Sequence, residues 1–256
     1  MTTKYYLFNF PPVADAYSVC PFAIKLESFC RVNGIPYATV YTTEFSKQGR
    51  SMPYCRVGDP NTGDEISDSN FIVERLAKDF EVSDAKLSTF ERAITHSCVR
   101  MIEEHLCQIG FYFRYGLHMK AFVDSLHLED RWDESLEMWA RFQPDATIDK
   151  TRKRGLLRHS DETLWSMSND DIQALSDMLG DSDYFFDGLP TLIDCTVFGH
   201  LSQFLWIPLD FPQKAYIKER CPNLVQFMAR FQEQYWPDWE SRCKKQSNQK
   251  VVRSST

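Results

Sequence analysis

Cys20 is the residue best placed to do chemistry. It lies in Tyr17-Ser18-Val19-Cys20-Pro21-Phe22, a loop that opens a helix. Pro21 suits the first helical turn, where its missing N–H costs nothing. Phe22, Leu26, Phe29 and Cys30 then recur at helical spacing, which gives that helix an apolar face. Glu27 and Arg31 pair at i,i+4 on the side expected to face solvent. A thiol at a helix start meets free N–H groups and the positive end of the dipole, so a thiolate is favoured over a thiol. A small thiol ligand or a mixed disulfide could be held there, with Tyr17 or Ser18 donating to its sulfur.

Two other short stretches carry chemistry. Met52-Pro53 enters a β-rich run. In cis, such a bond leaves the preceding N–H and C=O free to pair with a peptide-like ligand, as an added strand would; in trans it is only a strand edge. Asp68-Ser69 opens a second helix. The serine hydroxyl and N–H there suit a carboxylate, and Asp68 could accept from a ligand ammonium; plain N-capping is the other reading. Thr191-Leu192-Ile193-Asp194 is a capping box with a structural role. His96-x-Cys98 and His105-x-Cys107 look metal-like, but residues two apart on a helix diverge, and no metal is expected. Lys47 and Arg50 could reach an anion or simply coat a loop. There is no P-loop, no G-x-G-x-x-G after a strand and no nucleophile elbow.

The elements that must position these groups alternate at first. Tyr5 to Phe10 is an aromatic strand, followed by the Cys20 helix with Gly34 as its stop. Pro36 to Thr42 is a second strand, Met52 to Val57 a third, and Asp64 to Ile66 a fourth, joined to the third through the turn at 58–63. Ser67 to Asn70 starts the next helix, whose buried side is Phe71, Ile72, Val73, Leu76 and Ala77. This β-α-β, loop, β-β-α order fits an α/β thioredoxin-like layer. In such a layer Pro53 faces Cys20, and a cis bond is expected. Beyond the break at 81–84 only helical periodicities follow: Leu87 to Met101; Tyr112 to Asp124, with Gly110 and Gly116 as interruptions; a charged stretch anchored by Trp132, Trp139 and Phe142; Asn169 to Leu179; and two more around Leu201 and Met228. The expected organisation is a thioredoxin-like domain over 1–80, an all-helical domain over 84–243 and a polar tail over 244–256.

Composition narrows the function. The 256 residues carry a net charge of −7, which disfavours nucleic acid. Hydrophobic content of 43%, with 14% aromatic, supports a sizeable core, yet no apolar run reaches membrane-spanning length. The eight cysteines form no C-x-x-C and read as reduced thiols. Met1 to Lys4 leads straight into a strand without a secretory pattern, so a cytoplasmic protein is expected.

Taken in order, Ser18-Val19-Cys20-Pro21-Phe22, Met52-Pro53, Asp68-Ser69 and Thr191-x-x-Asp194 resemble the glutathione transferase superfamily. Pro21 to Glu27, Ile66 to Ile72, Gly155 to Ser160, Asp194 to Leu201 and Cys221 to Leu224 resemble its failed-axon-connections and metaxin-related branch, including nematode cadmium-responsive members. The resemblance implies glutathione as cosubstrate, with Pro53 in cis, the Met52 backbone pairing with its cysteinyl part, and Asp68 and Ser69 holding its γ-glutamyl end. Cys20 matches the mixed-disulfide cysteine of omega-like members. Ala23 stands where dithiol members have a second cysteine, so monothiol chemistry is implied, and Ser18 is the alternative activating hydroxyl. The expected function is a glutathione-dependent transferase or monothiol reductase. Its second substrate, a small electrophile or disulfide, would lie between the domains, and the protein would be a homodimer. The alternatives are a non-catalytic adaptor in stress response or neuronal development, and a thiol-rich protein taking up soft metals.

Overall fold

The computed structural model describes residues 4–13, 16–49, 51–82, 87–126, 143–186 and 188–246. Four strands form one sheet in the order β2-β1-β3-β4: β1 Tyr5–Asn9, β2 Ala38–Tyr41, β3 Tyr54–Val57 and β4 Asp64–Ser67. β1 runs parallel to β2, with Leu7 opposite Thr39, and antiparallel to β3, with Leu7 opposite Cys55. β3 and β4 make the hairpin, with Cys55 opposite Ile66. The parallel β1–β2 pair requires a crossover, supplied by α1, Pro21–Val32. α2, Ser69–Asp79, follows β4.

The remaining described elements are helical. α3, Thr89–Met101, begins at a capping box between Ser88 and Glu91. It passes into a π-helical turn at Ile102–Leu106, a short α4 at Cys107–Phe111, a second π-helical turn at Tyr112–Leu117 and α5, Met119–Ser125. Gly110 lies within α4 and Gly116 within the second π-helical turn, so neither interrupts the helix as expected. Then come α6, Pro144–Lys153; α7, Asp161–Leu179; α8, Leu192–Leu205; α9, Pro212–Arg220; α10, Pro222–Tyr235; and α11, Trp239–Gln246. α7 starts eight residues before the expected Asn169, because Ser160 caps it by accepting from the Thr163 N–H at 3.3 Å. The anchors Trp132, Trp139 and Phe142, and most of the polar tail, lie outside the described residues.

α1 is the centre of the molecule. Nine of its twelve residues are buried, including Lys25, Glu27 and Ser28, because the sheet covers one side and α8 the other. The close approach of α8 depends on Gly199: a Cβ there would lie 2.6 Å from the Pro21 carbonyl and 2.8 Å from the Lys25 nitrogen. The expected solvent-facing pair on α1 is therefore wrong. Glu27 accepts from Tyr17 Oη at 2.8 Å, Thr39 Oγ1 at 3.1 Å and Asn9 Nδ2 at 3.4 Å. Arg31 reaches across to Asp238, donating at 2.7 and 3.1 Å, and stacks 3.9 Å from the Trp236 ring centre. A helix wedged between two layers has no solvent side for an exposed ion pair.

Candidate functional site

The loop after β1 brings Cys20 to the N-cap of α1, facing the entry to β3. The Met52–Pro53 peptide bond is cis. Cys20 Sγ donates to the Met52 carbonyl at 3.5 Å, while among the described residues the Met52 N–H meets no acceptor. Across the hairpin, Asp68 caps α2 by accepting from the Asn70 N–H at 2.8 Å. It does so at φ +76°, a region that side-chain-bearing residues seldom occupy and that concentrates at ligand sites. Ser69 follows in the first turn, buried, its hydroxyl without a hydrogen-bond partner among the described residues. Cys20, Met52, Pro53, Asp68 and Ser69 thus converge from three separate stretches of chain.

The electrostatics of Cys20 differ from the simple expectation. Burial, with 6% of its surface exposed, pushes the thiol up to about 11; the Ala23 and Phe22 N–H groups and the Arg114 and Lys25 charges pull the other way without overcoming it. The helix start does favour the thiolate, as anticipated, but desolvation of the charged form is larger. In the free protein Cys20 is a thiol at neutral pH.

Ser18 and Tyr17 are committed elsewhere. The Ser18 hydroxyl donates to Asn9 Oδ1 at 2.8 Å and accepts from the Cys20 N–H at 3.0 Å, so it fixes the loop that presents the thiol. The Tyr17 hydroxyl donates its hydrogen bond to the Glu27 carboxylate. Of the loop cations, Lys47 uses its backbone N–H on Glu65 at 2.7 Å, and Arg50 lies outside the described residues. Thr191 and Asp194 form the expected capping box of α8. The Asp194 carboxylate accepts from the Thr191 N–H at 2.7 Å and also from the Phe185 N–H at 3.0 Å, tying the preceding loop to the helix.

Lys25, Glu103, Arg114 and Gln203 are polar residues of the site that carried no sequence signal. Lys25, fully buried, donates to Glu103 Oε1 at 2.6 Å and to Asn70 Oδ1 at 3.0 Å, and Asn70 donates to Glu103 Oε2 at 2.9 Å. This triangle joins α1, the start of α2 and the first π-helical turn. Arg114, in the second π-helical turn, is 1% exposed. It donates to the Val19 carbonyl at 2.9 Å and to Gln203 Oε1 at 3.0 Å, and Gln203 donates to the Ser18 carbonyl at 3.1 Å. Among the described residues it has no carboxylate partner; aromatic rings surround it instead, Phe122 at 5.1 Å and Tyr115 at 5.3 Å. A buried guanidinium beside the Cys20 loop is a standing positive charge. Only the π-helical widening hints at it, since such bulges gather at functional sites.

This fold and this convergence of backbone and thiol define a glutathione-transferase architecture. Residues 21–121 match the glutathione S-transferase N-terminal domain model and residues 168–231 the glutathione S-transferase C-terminal domain model; the chain belongs to the glutathione transferase superfamily. It is 29% identical to Failed axon connections of Drosophila melanogaster, over 94% of this chain and 60% of that protein, so it spans less than two thirds of that relative. It is 24% identical to the isoprene-epoxide–glutathione S-transferase of a Rhodococcus strain, over 90% of this chain and 98% of that one. In fold it is similar to a Ceriporiopsis subvermispora glutathione S-transferase solved in complex with glutathione, with a TM-score of 0.60 at 16% identity, covering 90% of this chain and 97% of that one. Among the described residues no helix is long and apolar enough to cross a membrane.

Proposed function

We propose that this protein binds glutathione in its thioredoxin-like half and acts as a monothiol transferase or reductase in the cytoplasm. The observation that carries the reading is the open set of polar groups around Cys20: the Met52 N–H and the Ser69 hydroxyl have no partner among the described residues. Glutathione would lie as an added strand against Met52–Pro53 with its γ-glutamyl end at Asp68 and Ser69. In the reductase reaction the Cys20 sulfur attacks the glutathione sulfur of a mixed disulfide. A Cys20–glutathione disulfide forms, the other thiol leaves with a proton, and a second glutathione thiolate regenerates Cys20 and releases oxidised glutathione. Ala23, buried in the same turn, means that no second thiol stands at the C-x-x-C position to resolve the bond. In the transferase reaction the glutathione thiol forms a carbon–sulfur bond to a small electrophile held between the two halves, and its proton goes to the atom whose bond to that carbon breaks.

The test is thermal unfolding with and without glutathione. A ligand that binds only the folded state at about 100 times its Kd adds about 2.7 kcal/mol, so the melting temperature should rise. Ser69→Ala should weaken that rise by roughly 1 kcal/mol of binding while leaving the unliganded melting temperature nearly unchanged. No rise in the parent protein would overturn the reading.

One observation favours a second reading, a non-catalytic adaptor: the Cys20 thiol is pushed up to about 11 and Ser18 is locked in the loop. Glutathione binding without turnover of any disulfide or electrophile would select it. In either case we propose a two-fold homodimer through α2 and α3, where Phe71, against its expected place on the buried side of α2, and Phe90 stand 61% and 73% exposed. Sedimentation of Phe71→Lys and Phe90→Lys should show a monomer.

A further inference from the structure

β2 is the end strand of the sheet, and a cleft of about 630 Å³ lies along it. Tyr37, Thr39 and Tyr41 line it from the strand and its approach, Arg31 from α1, and Asp238 and Arg242 from α11 and the residue before it. Ligand sites commonly measure roughly 300–1,000 Å³. The Thr42 N–H donates to the Asn9 carbonyl of β1 at 2.9 Å. Backbone groups alternate along a strand, so Ala38 and Val40 also face β1, and Thr39 turns its N–H and C=O away from it. Among the described residues those two Thr39 groups meet no partner. An end strand with open backbone groups is a template for another chain.

The side chains of this strand say what that chain carries. They point to the α1 side: Tyr37 Oη accepts from Arg31 Nε at 3.0 Å, Thr39 Oγ1 donates to Glu27 at 3.1 Å, and Tyr41 Oη lies 2.9 Å from Tyr17 Oη. Arg242 Nη1 donates to that same Tyr17 oxygen at 3.4 Å, and Arg242 Nε donates to Asp238. Arg242 therefore stands near the Tyr41 end of the cleft. Asp238 is already taken, since both its oxygens also accept from Arg31. One carboxylate between two guanidiniums leaves a positive charge over. Glu27, the other acid on this side, is 1% exposed, and its oxygens are filled by Tyr17, Thr39 and Asn9, so it stands behind the wall of the cleft. Arg242 Nη2 and the Tyr37 hydroxyl hydrogen meet no acceptor among the described residues. The cleft therefore has spare donors and calls for a carboxylate.

We propose that β2 and this cleft form a strand-addition site for an extended peptide segment of a partner protein that bears an acidic side chain. The peptide backbone pairs with the Thr39 N–H and C=O. Its residues on the α1 side project into the cleft, where a glutamate or aspartate carboxylate accepts from Arg242 Nη2 and the Tyr37 hydroxyl. β2 itself, Ala38–Tyr41, holds no acidic residue, so a second copy paired edge to edge offers Arg242 no carboxylate from the strand. Nothing in the cleft depends on glutathione at Cys20.

The test is nitrogen-15 NMR of the full chain titrated with an acetylated, amidated heptapeptide, Thr-Val-Thr-Glu-Thr-Val-Thr, which reads alike in both directions. Saturable shifts of the Thr39 N–H and the Arg242 Nε–H are expected. Replacing the peptide's glutamate by glutamine should weaken binding about tenfold or more, and methylating its backbone nitrogens about threefold or more. Both changes leave the protein untouched, so neither result depends on a variant that folds. No shift at Thr39 with millimolar peptide overturns the proposal, as does equal binding of the glutamine peptide. Acetate that binds as tightly as the peptide assigns the cleft to free anions and also overturns it. Slow hydrogen exchange at Thr39 in the protein alone means that a second copy already holds the edge, with the same consequence.

Discussion

The two ends of α1 differ in how completely their polar groups are paired. At the C-terminal end the polar side chains are paired with one another. Glu27 has four donor contacts from Tyr17, Thr39 and Asn9; Arg31 satisfies Tyr235, Tyr37 and both Asp238 oxygens; and Trp236 Nε1 donates to Ser28 at 2.9 Å. At the N-terminal end, about 16 Å away along the axis at 1.5 Å per residue, groups are left open: the Met52 N–H, the Ser69 hydroxyl, Arg114 Nε and His200 Nε2. One helix is thus a latch at one end and is left open at the other. Saturated polar networks hold layers together, whereas buried groups without partners are rare and call for an explanation.

The sharpest way to break this contrast is in the middle of the helix, where the Lys25–Glu103 pair joins the two. Both side chains are at most 3% exposed. Burial presses the Lys25 pKa down while the Glu103 carboxylate holds it up, and Glu103 itself is held low, burial opposed chiefly by Lys25. Removing one member leaves the other charged and unpaired, at a cost of about 3–5 kcal/mol. Lys25→Met should therefore show the largest loss in urea unfolding, and Lys25→Met with Glu103→Leu should recover much of it. A single variant as stable as the parent would mean the pair is not what couples α1 to the helical half.

The closed end should announce itself in acid. Burial raises the Asp238 pKa, but the hydrogen bonds and charge of Arg31, then Arg242, outweigh that and bring it from 3.8 to about 2. A carboxylate with a depressed folded pKa contributes stability that is present above its unfolded value and is lost as pH falls through the folded one. The latch should hold above about pH 4 and weaken between there and 2. Asp238→Asn should be less stable than the parent at pH 7, and the gap should narrow across that window. A constant gap down to pH 2 would place the contribution in shape rather than charge.

What could be read from the sequence, and what could not, divides along the same line. The strands themselves, the helix starts at Pro21 and Ser69 and the box at Thr191 and Asp194 have local signals: a proline, a cap, a β-rich run; the sheet order β2-β1-β3-β4 has none, and the cis bond at Met52–Pro53 follows only from the dipeptide together with its place in the chain. The burial of Lys25, Glu27, Arg31 and Arg114 has none, because their partners Glu103, Asp238 and Val19 are 78, 207 and 95 residues away or lie across the sheet, and charged residues are rarely buried unless paired. The Cys20 thiol was half legible. Its helix start is in the sequence; the layer that desolvates it is not.

That half-legible thiol gives the smallest expected effect and the most specific one. Arg114 has no acid to neutralise among the described residues, and its charge is one of the two that lower the Cys20 thiol. If its charge is kept for the sulfur, removing it should move the titration of Cys20 and little else nearby. The rate of Cys20 alkylation should climb with pH towards a midpoint near 11 in the parent protein. Arg114→Gln can still donate to the Val19 carbonyl but carries no charge, so its midpoint should move up by about one unit or less, slowing alkylation at pH 9 by at most about tenfold. Arg114→Lys restores charge without the planar fork, and its profile should return towards the parent even if Gln203 loses its bond. A role confined to holding the loop predicts the opposite pattern. The glutamine and lysine variants would then loosen Cys20 alike, both reacting faster through easier access, with no shift of midpoint that tracks the charge.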